Sequence, residues 1–216
     1  MTQIPASPVY QGQFGEFTIE ELDRREVIIY RAGLCVAAAS FAIATALILW
    51  QPASALTLSA LTVLYALFWA GLGVSLFYIH IYLKALHRAL QAFWLIGGLA
   101  SGAIAFTSPQ PLALQVYEHP LLIFGVGFTF AALTGILFKE AFCFNRTETK
   151  ALTPLVPLLL LGHMSGLIQP GTERLLLLLW AVLFAVFALR KTVQDIPADI
   201  GDKSVFDYLK AQTSKT

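Results

Sequence analysis

Four histidines, at positions 80, 87, 119 and 163, carry most of the ligand chemistry available in this chain. His80 and His87 stand in the stretch FYIHIYLKALHRALQAFW beside Lys84 and Arg88. On one continuous helix a seven-residue step is about 10.5 Å along the axis, too far for both imidazoles to hold one metal ion, so joint ligation needs a helix break. His80 is expected about one turn inside a membrane boundary and close in depth to Glu140 and Cys143. A metal or proton site at that edge would rest on His80 and Glu140, against the ordinary alternative that such side chains snorkel or pair locally. His163 is different. Counted from Thr153 it falls about 15 Å into an apolar run, near the centre of a bilayer. A neutral imidazole at that depth could ligate the magnesium of a chlorophyll or the iron of a haem, and Gly162 and Gly166 would leave room for a flat macrocycle. The plainer alternative is a hydrogen bond to Thr129 or Thr134 on a neighbouring helix.

Catalytic patterns are weaker. EELDRR at 20–25 fits the E-E-x-x-x-R arrangement of membrane-embedded CAAX-type proteases, but it precedes the first apolar run. Thr18 and Glu21 read there as a capping box ahead of a charged, amphipathic lead-in helix. GHMSG at 162–166 lacks the order of a serine-nucleophile motif, and a histidine and serine two residues apart on a helix point about 200° apart. The histidines are too scattered for a di-iron box. Cys35 and Cys143 fit no zinc spacing and read as free thiols. The chain is therefore read as a non-enzyme.

The elements that position these residues follow from the distribution of charge. Of the 216 residues 57% are hydrophobic and 12% charged, about half the charged share of a soluble domain. No Asp, Glu, Lys or Arg occurs in 32–83, 89–117, 119–138, 151–172 or 175–189. A membrane-spanning helix needs roughly 20 mostly apolar residues, and these windows divide at breakers into about six. The expected spans run from about Val27 to Trp50, ended by Pro52, then Leu56 to Leu83 and Ala89 to Thr107. After a long loop at 108–120 come Pro120 to Lys139, a span opened by Thr153 and Pro154 as cap and first-turn proline, and Leu175 to Leu189. The fold class expected is an all-α, polytopic membrane helical bundle, with a cytoplasmic N-terminal segment at 1–26, a transmembrane domain at 27–189 and a cytoplasmic tail at 190–216.

Packing signals accompany the spans. Gly98 and Gly102 form a G-x-x-x-G, and Gly127, Ala131 and Gly135 a small-residue stripe, either of which lets helices approach closely within this bundle or against a partner. In the tail, Val205, Phe206, Tyr208 and Leu209 give a short helix an apolar side that needs a surface: this protein's own loops, lipid headgroups or a partner groove. A net charge of +1 argues for neither nucleic-acid binding nor acidic partners, and no nucleic-acid partner is expected.

HIYLKALHRALQ at 80–91, VYEHPLLIFGVGFTFAALTGILFKEAFCF at 116–144 and IPADIGDKSVFDYLKAQ at 196–212 resemble an uncharacterised family of integral membrane proteins common in cyanobacteria. The resemblance implies a thylakoid or plasma membrane, membrane lipids as surroundings, and subunits of a membrane protein complex as partners. It implies an accessory or assembly role, in a photosynthetic membrane for a pigment-protein complex. The other classes carried forward are a small-solute or ion transporter or channel, and a membrane-embedded enzyme.

Thirteen of the 14 lysines and arginines fall on one side of the expected topology, and only Arg174 on the other. The excess of basic residues in cytoplasmic segments then places both termini inside. Reporters fused after Lys215 or within 84–88 should behave as cytoplasmic, and those within 108–118 as exported. An exported C-terminal reporter would overturn that orientation.

Overall fold

A computed structural model describes residues 8–51 and 54–213, so Pro52 and Lys215 lie outside the described residues. The chain opens with an antiparallel hairpin, β1 (Val9–Gln11) and β2 (Glu16–Thr18), in which Tyr10 pairs with Phe17. The helices follow as α1 (Glu21–Trp50), α2 (Ala55–Tyr78), α3 (Lys84–Thr107), α4 (Leu112–Glu118), α5 (Ile123–Phe144, led by a 3₁₀ turn at Pro120–Leu122), α6 (Thr147–Met164), α7 (Pro170–Thr192), α8 (Ile196–Ile200) and α9 (Lys203–Thr213). This is an all-α membrane bundle. Among the described residues five helices are long and apolar enough to cross a membrane: α1, α2, α3, α5 with its leading turn, and α7.

The sixth long helix, α6, has 18 residues and begins with the polar run Thr147, Glu148, Thr149 and Lys150. Two contacts peg it along α7. Glu148 at its start meets Arg190 at 2.9 Å, and His163 in its last turn meets Glu173 at 2.8 Å. It therefore traverses most of the bundle beside α7. Contacts of Glu26 with His80, Tyr30 with Glu140, Arg31 with Asp199 and Asp23 with Lys203 bring both terminal segments and the α2–α3 and α5–α6 connections to one end.

Several expected boundaries move. Helix α1 is capped by a reciprocal box between Glu20 and Asp23, so Thr18 is a strand residue rather than a cap and α1 runs unbroken from its charged first turns into the membrane segment. Helix α2 stops at Tyr78, before the expected Leu83, because Ile79 turns extended and both Ile79 and Ile81 bury their side chains. Lys84, His87 and Arg88 then belong to the first turns of α3. Helix α5 ends on Asn145 in the left-handed region (φ 52°), which asparagine tolerates better than most residues, and α6 follows directly. Pro154 and Pro157 lie inside α6 instead of opening it, as membrane helices allow, and the Thr153 hydroxyl bonds back to the Thr149 carbonyl instead of capping. The loop at 108–120 contains α4, and α7 is longer than expected, at 23 residues.

Between apolar helices in lipid there is no hydrophobic drive, so close contact and polar links must hold the bundle. Helices α1 and α2 cross at Gly33 and Gly71, where a Cβ on either would fall 2.6 or 2.7 Å from the other's carbonyl oxygen. The Ser75 hydroxyl locks the crossing by donating to the Tyr30 carbonyl at 2.9 Å. Between α2 and α3, Trp69 and Trp94 stack at 4.3 Å, and each indole N–H donates to the other's carbonyl. Deeper in the bundle, the Tyr65 hydroxyl joins Ser101 at 2.7 Å and Thr129 at 3.0 Å, linking α2, α3 and α5.

A methyl at the crossing meets backbone, which cannot swing aside. Gly71→Ala should destabilise the protein by about 1–3 kcal/mol, the usual range for overpacking. Gly102→Ala, where a Cβ meets nothing within 4 Å, should be neutral. Thermal melting of the two variants in detergent checks the contrast, and equal melting temperatures would remove the crossing from the list of constraints.

Candidate functional site

The end of the bundle that gathers the termini buries an unusual number of charges. Glu140, near the end of α5, is fully buried. Its Oε1 accepts from the Tyr30 hydroxyl at 3.1 Å and from Lys139 at 2.9 Å, and its Oε2 stands 2.8 Å from Lys191 Nζ. Lys191, in the last turn of α7, is also fully buried, pairs with Asp199 of α8, and lies over the rings of Tyr30 and Phe144 at 5.5 and 4.4 Å. Asp199 in turn accepts from Arg31 through Nε at 2.8 Å and Nη2 at 2.6 Å, and from Gln194 at 3.0 Å. Around this centre, Glu148 holds Arg190, and Arg146 bonds Gln194. Three cations thus enclose two carboxylates and a phenol contributed by α1, α5, α7 and α8. Chemically the arrangement is a closed ionic staple, because each carboxylate is held by at least one cation from another helix.

Beside it lies a smaller group. The break after Tyr78 turns His80 toward the first turns of α1, where its Nε2 stands 3.4 Å from Glu26. Asp23 is one turn earlier on the same face, and one ligand atom from each of Asp23, Glu26 and His80 lies within 4.8 Å of the others. Asp23 accepts from Lys203 at 2.7 Å and from the Glu20 backbone N–H. Burial lowers the proton affinity of His80 below its ordinary range despite the opposing pull of Glu26 and Asp23, so the ring is neutral at neutral pH.

A comparison with protein families matches the chain to the uncharacterized integral membrane proteins termed DUF2301 over residues 74–208, which runs from the last turns of α2 into α9. The chain belongs to this family. No curated protein and no solved structure matches it. The DUF2301 match takes in His80, Glu140, Lys191, Asp199 and Lys203, whereas Asp23, Glu26, Tyr30 and Arg31 lie on α1 ahead of it.

The residues singled out in the sequence fare differently in this DUF2301 chain. His80 and Glu140 do not form one ligand set: His80 groups with Asp23 and Glu26, and Glu140 is enclosed by Tyr30, Lys139 and Lys191. Cys143 is exposed. His87 bonds the Leu76 carbonyl and Gln91, closing the α2–α3 connection. His163 is not at mid-depth. It lies one residue from the end of α6, its Nδ1 2.8 Å from Glu173 and its ring stacked on Tyr117 at 5.1 Å. The space expected beside Gly162 is filled by Ile168. Thr129 and Thr134 bond Tyr65 and the Phe130 carbonyl instead of His163.

Among the small residues, Gly98 receives the face of Trp69 and Gly135 the side chain of Leu90, while Gly127 and Ala131 line an apolar groove of about 250 Å³ between α5 and α6. Gly102 faces open space. Of the tail residues, Phe206 packs on Tyr82 and edges against His80, and Tyr208 stacks on Phe14 at 4.0 Å. Val205 and Leu209 share that helix. Tyr30, Arg31, Lys191 and Asp199, the heart of the ionic staple, were not anticipated. The available signal was that Glu140 and Asp199 share one expected membrane side with nearly all the cations.

Removing one partner from a buried ion pair leaves the other charge stranded, at a cost of about 3–5 kcal/mol. Lys191→Met should lower the melting temperature in detergent by a corresponding amount. Wild-type melting of Lys191→Met would show that the network does not staple the helices.

Proposed function

We propose that this protein is a non-catalytic accessory or assembly protein of a membrane complex, presenting a folded cap at one membrane face. The observation that carries this reading is how the terminal segments are held. Asp202 accepts from the Gln13 backbone at 2.7 Å, Ser204 from Phe14 at 3.0 Å, and the Asp202 backbone donates to the Tyr82 hydroxyl at 2.6 Å. These contacts fix α9 against the hairpin and leave the stacked Phe14 and Tyr208 partly exposed, at 47% and 41%. A rigid, half-exposed aromatic pair suits protein recognition, where tyrosine and phenylalanine are enriched and little side-chain entropy remains to be lost. The ionic groups beneath are spent on one another, which suits a scaffold better than a transport path. The cyanobacterial setting expected from the sequence resemblance would direct the search for the partner first to pigment-protein complexes.

The test is quantitative co-purification from native membranes in mild detergent. A membrane partner recovered in stoichiometric amount with the wild type should fall at least about tenfold with Phe14→Ala plus Tyr208→Ala, the effect of losing a binding hot spot. Undiminished recovery with that variant, shown to be inserted and folded, would sink the reading.

A further inference from the structure

We propose that Asp23, Glu26 and His80 form a binding site for a divalent transition-metal cation of the zinc class, with Lys203 competing for Asp23. This is independent of the accessory role. Its basis is convergence: the α1 register places Asp23 and Glu26 three residues apart on one face, and the break after Tyr78 delivers an imidazole from the α2–α3 connection to the same point.

The geometry suits a small cation. The 3.4 Å between His80 Nε2 and Glu26 matches the edge of a tetrahedron with metal–ligand bonds of about 2.0–2.1 Å. Asp23 must close somewhat, since the three ligand atoms lie within 4.8 Å of one another. Glu26 has room to follow, its side chain being about one-third exposed. One imidazole and two carboxylates, without a thiolate, favour zinc, manganese or ferrous iron over cuprous copper. Three protein ligands leave a fourth position for water. Part of an outer shell is present, since the Glu20 backbone N–H orients Asp23, and the Phe206 ring edges against His80.

Lys203 shows that the site already attracts a cation, since its ammonium stands 2.7 Å from Asp23 Oδ2. A divalent ion entering there takes over the neutralisation of Asp23 and releases Lys203, the first residue of α9. Metal occupancy therefore loosens one tether of the C-terminal helix, while the contacts of Asp202, Ser204 and Phe206 remain.

The experiment uses the untagged full chain in detergent, stripped with chelator and titrated with zinc by calorimetry against a competing chelator dye. One zinc per chain is expected. Glu26→Gln and, separately, His80→Ala should each weaken binding at least about 100-fold, since loss of an outer-shell partner alone costs about 10–100-fold. Lys203→Met should tighten it, and His119→Ala should match the wild type. Cobalt in place of zinc should give d–d absorption without thiolate charge-transfer bands. No stoichiometric zinc, wild-type affinity in Glu26→Gln, or unchanged or weaker affinity in Lys203→Met would each overturn the proposal. Glu26→Gln decides the matter should His80→Ala fail to fold.

Discussion

The fully buried ammonium of Lys191 sets the terms for one whole end of this protein. A charge held away from water is tolerable only with close, well-directed counter-charges. Lys191 finds Glu140 on α5 and Asp199 on α8. Asp199, buried in its turn, needs Arg31 on α1, and Glu140 also takes Lys139 and the Tyr30 hydroxyl. Once the α7 ammonium is placed there, α1, α5 and α8 have no freedom to end elsewhere. Buried ion pairs of this kind often add little net stability compared with a well-packed apolar core. Their contribution here is register: in lipid, apolar helices slide past one another at little cost, and a misaligned α7 would strand the Lys191 ammonium and take one counter-charge each from Glu140 and Asp199.

Away from that end, alignment is handed to contacts of another kind. The Gly33–Gly71 crossing, the reciprocal tryptophan pair and the Tyr65–Ser101–Thr129 hydroxyls act at successive levels of the bundle, each linking a different set of helices. Gly98 serves one of these levels by admitting a tryptophan ring rather than a neighbouring helix backbone. The G-x-x-x-G pattern treats its two glycines alike, whereas Gly98 meets Trp69 and Gly102 faces open space. The stripe on α5 divides for a similar reason: Gly135 meets α3, whereas Gly127 and Ala131 face the seam opened beside the proline-containing α6.

The membrane-embedded, all-helical character was legible because charge is absent over long windows, and no packing detail can conceal that. Helix ends were less legible, and the errors have physical sources. Prolines that would stop a helix in water sit inside α6, so reading Pro154 as a start moved the origin from Thr147 to Thr153 and carried His163 from the end of the helix to the bilayer centre. Conversely, α2 ends without proline or glycine. The Tyr-Ile-His-Ile-Tyr alternation, with Ile79 and Ile81 buried, is a period-two signal that could have located the break and the freedom of His80 to reach α1. The hairpin at 9–18 carries Tyr10 and Phe17 in pairing register, a signal too short to stand out within a mostly polar segment.

The cap formed by that hairpin, α8 and α9 could not hold itself together. Among the described residues its buried apolar core is Ile19, Val27 and Ile200, with Tyr10, Phe17 and Ile196 packed around them. A cluster of that size falls well short of what a small domain needs to fold alone. Ile200 is the neighbour of Asp199, so the residue that completes the cap core is adjacent to the carboxylate that neutralises Arg31 and Lys191. The cap is thus joined to the ionic staple at Asp199–Ile200, and to α1 and the α2–α3 connection through Lys203–Asp23 and the bond from the Asp202 backbone to Tyr82.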